Sequence, residues 1–426
     1  MSGAVASHPA FTAALSLSAL LLHTGPLRAE IALAPVGPVI DFARPPPIGP
    51  SWSSACSFHH AVCVHAPPSV SPSLALAALS SAENAWDVLT GALALPLPDV
   101  DLEGAWHIYL ADGVAASGRA LLTGRDPRAR YDRGTSFALV DRATPPGCAL
   151  DVALARALAR AAIWRAAPGT DEASANAQTE ALVHLAVPCA DQSPDTLAFQ
   201  AHPERTLADP WSDAFDFGAS LFFDWLDATF AREVGGLLRG LLALAPSRTP
   251  PGAWRWSATP SGYDVLRASL KGALSTGSTI DDIFVRFAVE RARATPSVRV
   301  AWHIPWPEHA RRLASPEPVY PTGASYVLVD HAGAPAGAKL RLEAQWEDYG
   351  RMRWVVVKLD ARGQTLAEMP VPSLDRATHA SLTVESLEGV DSLLLVGVNV
   401  GSTEHPFDPD QEEWEPHGWL VTLEAQ

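Results

Sequence analysis

Apolar residues recur at helical spacing through the middle of the chain and alternate toward its end. Between Gly147 and Cys189, the run GCALDVALARALARAAIWRAAPGTDEASANAQTEALVHLAVPC reads as two helices, about 149–166 and 171–187, divided by Ala167-Pro168-Gly169-Thr170. In the first, Leu150, Leu154, Ala157, Leu158 and Ala161 repeat with the helical period, and Arg156 and Arg160 stand one turn apart. Asp171 and Glu172 open the second, where acid suits the positive end of the helix dipole.

Ahead of this pair, 57–66 (SFHHAVCVHA) alternates into a short strand, and 73–90 fits a helix with Leu74, Leu76, Leu79, Trp86 and Leu89 inward. Residues 106–110 and 136–140 read as strands. After it, 190–210 is a polar loop, and a long helical stretch from Ala214 to Leu244 opens with FDFGASLFFDWLDATF. Leu221, Phe222, Trp225, Leu226 and Thr229 share its apolar stripe, leaving Asp224 and Asp227 for a solvated face. Further helices fit 233–244, 261–274 and 279–293. From Ala324 the period changes to two: SYVLVD, KLRLEAQW, MRWVVVKLD, ASLTVESL, SLLLVGVNV and WLVTLEA, with turn residues between them. Such spacing argues a β-sandwich. The expected fold class is therefore α+β, with a largely helical second half to the first domain, followed by an all-β sandwich domain. Its expected divisions are a signal peptide over 1–29, a Pro-rich linker over 30–52, a domain over 53–296, a linker over 297–318 and the sandwich over 319–426.

Composition narrows the partners and the compartment. With 31 basic against 47 acidic residues and a formal charge of -16, the surface repels phosphate backbones, so nucleic acid is not an expected partner. The apolar run at 10–22 is too short to span a bilayer and is followed by Gly25-Pro26 and Ala29. It predicts export, with the mature chain starting near Glu30, although no Lys or Arg precedes it. No transmembrane segment is expected further on. The location expected is extracytoplasmic: periplasmic, cell-surface or secreted. Four cysteines suit an oxidising compartment, and Cys56–Cys63 with Cys148–Cys189 is one of three possible pairings.

Candidate chemistry is sparse. His59, His60 and His65 beside Cys56 and Cys63 lack zinc spacing and read as a small disulfide loop by a strand. The acidic run 407–415 would suit calcium through oxygen ligands, or else forms a solvated hairpin loop. No G-x-S-x-G elbow, Walker A sequence or glycine-rich nucleotide fingerprint occurs.

In layout, the helix, turn and helix with Glu180 on the second, the FGASLFFDWLDATF helix and the terminal strands together resemble secreted gluzincin-type zinc metallopeptidases. That resemblance implies a zincin-like first domain, with HExxH on one helix and a ligand Glu on the next. Arg156-Ala157-Leu158-Ala159-Arg160 falls where HExxH should be, and Glu180 follows on the second helix. Guanidinium has no lone pair for zinc, and Ala157 lacks the carboxylate that deprotonates bound water. Glu180 and His184 share a helical face, but two donors do not complete a site. The degenerate member implied has no catalytic residue, metal or cofactor, and binds a peptide or protein partner. The same residues also read as an Ala-packed core helix whose arginines snorkel or pair with Glu180. Two other readings stand beside it. One is an active metal-dependent hydrolase with non-standard ligands such as His59, His60, His65 or His184. The other is an adhesion or glycan-binding protein using exposed Trp346, Trp354, Trp414 or Trp419 on the sandwich.

Overall fold

In a computed structural model the chain is described for residues 36–426, apart from 101–103, 114–117, 191–193, 209–212, 275–277, 295–296, 349, 375–376 and 402–413. The expected signal peptide and nearly all of the acidic run at 407–415 lie outside the described residues. Strand β1 (Val36–Val39) pairs antiparallel with β7 (Arg255–Ser257). A five-stranded sheet follows, built from β2 (Ser53–Cys56), β3 (Val62–Ala66), β4 (Trp106–Ala111), β5 (Arg119–Arg125) and β6 (Gly134–Asp141). Its order is β2-β3-β4-β6-β5; the three central strands run parallel and both edges are antiparallel. Residues 57–61 form the connection between β2 and β3 rather than the start of a strand, and Cys56 pairs with Cys63 directly across it.

One face of this sheet, with Val62, Val64, Trp106, Ile108, Ala138 and Val140, packs on α1 (Pro72–Trp86) and α2 (Cys148–Ala166). Helix α2 is buried nearly all round, and the reason is its alanines. Ala153, Ala155, Ala157, Ala159, Ala161 and Ala162 are all covered, which lets the sheet, α1 and α3 (Glu172–Ala186) approach its backbone closely. Asp171 caps α3 by accepting from the Ser174 amide at 2.8 Å. The disulfide Cys148–Cys189 ties the start of α2 to the residues just past α3. Its 41-residue separation makes the closure worth about 4 kcal/mol in the chain-entropy account. Both cysteine pairs are thus the sequence-adjacent ones.

The segment 190–210, expected as a loop, carries α4 (Pro194–Ala201). The long helix expected from Ala214 is broken into α5 (Asp213–Gly218) and α6 (Ser220–Phe230). At the break, a Cβ on Gly218 would meet the Asp195 carbonyl oxygen at 2.1 Å, so α4 and α5 cross backbone to backbone. Asp227 is not on a solvated face. It is buried and accepts from the Gly235 and Leu237 amides at 2.7 and 2.9 Å, turning the chain into α7 (Gly236–Leu244). Thr229, expected inward, is exposed. Helices α8 (Gly262–Leu270) and α9 (Ile280–Arg291) complete the helical part, each with a capping box.

The terminal region is two stacked sheets. β8 (Trp302–Ile304), β10 (Ala324–Asp330), β12 (Met352–Leu359), β13 (Thr365–Pro370) and β15 (Ser392–Asn399) form one, in the order β13-β12-β15-β10-β8. β9 (Arg311–Ala314), β11 (Leu340–Trp346), β14 (His379–Val384) and β16 (Trp419–Ala425) form the other, in the order β14-β11-β16-β9. Residues 297–318, read as a linker, thus give β8 to one sheet and β9 to the other. Val327, Val356, Leu393 and Leu395 face Leu342, Ala344, Val421 and Leu423 in the core between the sheets. The alternate residues Tyr326, Val355, Val357, Val396 and Val398 pack into the core of the helical part instead. Because its two faces meet two different cores, β15 is buried along its whole length. Among the described residues, no helix is long and apolar enough to cross a membrane.

Candidate functional site

Strand β5 is the sheet edge nearest α2, and beside it opens a cleft of about 290 Å³. It is walled by β5 with the preceding Gly118, by the facing turns of α2 and α3, by the lead-in at Pro38, Val39, Asp41 and Ala43, and by Phe217 of α5 and Trp256 of β7. The lead-in is fixed at its start by β1–β7 pairing, where a Cβ on Gly37 would sit 2.1 Å from the Trp256 carbonyl oxygen. Further on, the Ala43 amide donates to the Leu122 carbonyl at 2.7 Å, so the lead-in touches the outer edge of β5. Ala43, Pro46 and Gly49 are half-buried between exposed neighbours, a three-residue spacing of contacts along this Pro-rich run.

Arg156 and Arg160 both line the cleft from α2. Arg156 donates through Nε and Nη2 to Glu180 Oε2 at 2.8 and 2.7 Å, and its guanidinium stands 5.0 Å from the ring centroid of Phe217. Glu180 is buried, with 2% of its side chain exposed. Two charge-assisted contacts converging on one oxygen hold the arginine, and they spend its charge inward. Ala157 is wholly buried in the core and offers no polar atom. Arg160 donates to Glu172 Oε2 at 2.6 Å and to Asn176 Oδ1 at 3.3 Å, and lies over Trp164 with 5.2 Å to the ring centroid. Asn176 in turn donates to Asp216 at 3.5 Å. His184 sits one turn beyond Glu180, hydrogen-bonded through Nδ1 to Asp224 at 2.7 Å, with Nε2 3.8 Å from Glu180 Oε1. Asp224, expected on a solvated face, is therefore the partner of His184. The five residues singled out from the sequence thus converge on α2 and the facing side of α3, four as two linked charge systems and Ala157 as packing.

Other candidates are scattered. His60 pairs with Asp87 at 3.0 Å. His65 is on the far face of the sheet from α2, with Nε2 2.7 Å from His107 Nδ1 and its ring stacked on Tyr109. Among the described residues no three His, Cys, Asp or Glu side chains are grouped as metal ligands. Trp346, Trp354, Trp414 and Trp419 are all buried, so none is an exposed stacking platform. Trp354 and Trp419 meet edge to face inside the sandwich, 5.4 Å between centroids. A second pocket, of about 70 Å³, lies among α3, α6, α7 and α8. Burial raises the pKa of Asp171 there, and burial together with the Asp171 charge raises that of Tyr263. The pocket is small and mostly apolar, and reads as a packing defect beside a capped helix.

No protein-family model and no curated protein matches the chain. Among solved structures it is similar to the pre-peptidase C-terminal domain of a collagenase from Bacillus anthracis. That likeness is at 9% identity and a TM-score of 0.19, over 30% of this chain and 97% of that one. It is also similar to the enzymatically active domain of tailspike protein 4 from bacteriophage CBA120, at 9% identity and a TM-score of 0.18, over 28% and 18%. A third likeness is to a CBM4 structure, at 14% identity and a TM-score of 0.16, over 28% of this chain and 82% of that one. At TM-scores this low, the likenesses bear on neither mechanism nor ligand.

Proposed function

We propose that the protein is an exported, non-catalytic relative of gluzincin-type peptidases that holds an extended segment of a peptide or protein partner in the cleft beside β5. One observation carries the reading: the Arg156–Glu180 pair. On the register drawn from the sequence layout, Arg156 would take the position of that family's first metal ligand and Glu180 that of the acid on the next helix. A guanidinium has no lone pair for a metal, and its positive charge, held against Glu180, opposes a cation at that carboxylate. The layout around it supports the same reading, since an antiparallel edge strand runs beside the helix that bears residues 156–160. Edge strands recruit extended peptides through backbone hydrogen bonds, and a walled cleft supplies side-chain contacts. The two disulfides are compatible with an oxidising, extracytoplasmic compartment.

Two measurements test this. Protein purified without chelator holds less than about a tenth of an equivalent of zinc, because a complete site would bind tightly; stoichiometric zinc overturns the non-catalytic reading. Bead-displayed random hexapeptides are enriched by the full chain and lost by Leu121→Trp, which narrows the cleft from β5. An unenriched library sinks the peptide-binding reading.

A further inference from the structure

The peptide-binding reading leaves the ligand's chemistry open, and the two arginines of the cleft differ in a way that narrows it. Arg156 is locked, since its acid is as buried as it is. Arg160 is held differently. Its own side chain is 10% exposed, fixed by Trp164 and Asn176, whereas the side chain of Glu172, its acidic partner, is 56% exposed. Among the described residues, Glu172 and Asn176 occupy two of the five N–H donors that a guanidinium carries. The cation is therefore a rigid part of the cleft wall, and the acid is the movable half of the pair.

An ion pair with one member in water contributes little net free energy, because the exposed side chain gives up rotamer freedom and hydration to hold one geometry. A carboxylate delivered from a ligand already held along β5 does not bear that cost separately, and so displaces Glu172. The exposed Arg119 lines the same cleft from β5. In a chain of net charge -16, this places arginines on both sides of one groove, Arg119 on β5 and Arg160 on α2, with the exposed Asp41 of the lead-in and Glu172 the acids among its lining. From this we infer that the cleft selects an acidic peptide: Arg160 receives a carboxylate of the bound segment, and Glu172 is the intramolecular stand-in that this carboxylate replaces. The inference rests on the peptide-binding reading and adds the ligand's class to it.

The same hexapeptide library, with free C-termini, tests it on the full chain. Wild-type protein enriches sequences with Asp or Glu at one register position, or sequences that need their terminal carboxylate. Resynthesis with Gln for Glu, and separately with an amidated terminus, tells the two sources of carboxylate apart. Glu172→Gln removes the internal competitor and tightens binding of the enriched peptide about fivefold, the equivalent of an exposed ion pair. Arg160→Gln weakens it by more than about tenfold, the loss expected of a charge-assisted contact, and abolishes the acid preference. Should Arg160→Gln fail to fold, the exposed Glu172→Gln still decides the matter. Enrichment without acid preference, or a Glu172→Gln variant that binds no tighter, overturns the inference and leaves peptide binding standing. No enrichment at all overturns both.

Discussion

The buried pair at the head of the cleft can be tested by removing its acid. Glu180→Gln keeps the shape of the side chain and an acceptor oxygen, but takes away the charge opposite Arg156. Two hydrogen bonds, at 2.8 and 2.7 Å, then lose their charge assistance, and a guanidinium with a 12% exposed side chain loses its counter-ion. Breaking a fully buried pair from one side costs about 3–5 kcal/mol. Arg156 opens onto the cleft, where water recovers part of that, so the expected loss is about 2–3 kcal/mol. That is a large share of the roughly 5–15 kcal/mol a folded domain has in hand. Arg156→Met with Glu180→Leu removes both desolvation penalties together and should return to within about 1 kcal/mol of wild type, or exceed it. Urea denaturation followed by tryptophan fluorescence reads both, with the slope against denaturant unchanged. If Glu180→Gln stays within about 0.5 kcal/mol of wild type, the range of a featureless surface change, the pair does not anchor the cleft. A double variant as unstable as the sum of its singles would refute the reasoning equally.

Three further outcomes follow from the same geometry. Replacing Cys148 and Cys189 together by Ala should lower stability by about 4 kcal/mol, since the 41-residue separation is no longer closed in the unfolded chain; an unchanged denaturation midpoint contradicts this. Gly37→Ala places a methyl against the Trp256 carbonyl, so β1 should lift and limited proteolysis should cut faster within residues 38–48; cleavage at the wild-type rate would show that β1 is not held there. The Arg299 guanidinium, with help from Glu204, holds the Glu317 carboxyl down from its usual 4.5 to about 2. A depressed carboxyl stabilises the fold above pH 4.5 and loses that contribution as pH falls toward 2, so Glu317→Gln should flatten the stability profile in that window. The effect should stay below about 1 kcal/mol because both partners are nearly half exposed, and an unaltered acid limb counts against it.

The paired helices were legible because their signals reinforce one another: an apolar period of 3.6, a Pro-Gly break, acid at the second start and a cysteine at each end. The wall opposite them was not. β5 spans RALLTGR, where only Ala120 and Leu122 are buried, and its register shifts between Leu122 and Gly124. Between Gly118 and Gly124 the five residues Arg119-Ala120-Leu121-Leu122-Thr123 do not alternate in polarity, since Leu121 on the outer face is as apolar as its neighbours, so the period of two is hidden. The carboxylates of α6 misled for a different reason. Spacing shows which side of a helix is polar, but not whether that side meets water. Here it meets His184 of α3 and the amides leading into α7. The tryptophans offered as an exposed platform fall on inward positions of the same alternation: Trp354 of β12 and Trp346 and Trp419 of β11 and β16 all lie in the core between the two sheets.

That doubly covered sheet limits where function can sit. Tyr326 reaches across from β10 to donate to the Ala288 carbonyl at 2.8 Å, and Arg291 at the end of α9 is buried with Gln200 at 3.0 Å. The chain returns past α4 by backbone contact: Tyr320 N donates to Glu204 O and Ala324 N to Pro203 O, at 2.8 and 2.7 Å. A Cβ on Gly323 would meet the Glu204 carbonyl oxygen at 2.2 Å. A fragment cut at residue 319 would expose Tyr326, Val355, Val357, Val396 and Val398 as one apolar patch, which on an isolated domain drives aggregation. The sandwich therefore acts as the outer layer of the helical core rather than as a tethered module. Any ligand proposed for it therefore has to be sought with the intact chain, in the same binding experiments that test the acidic peptide proposed for the cleft at β5.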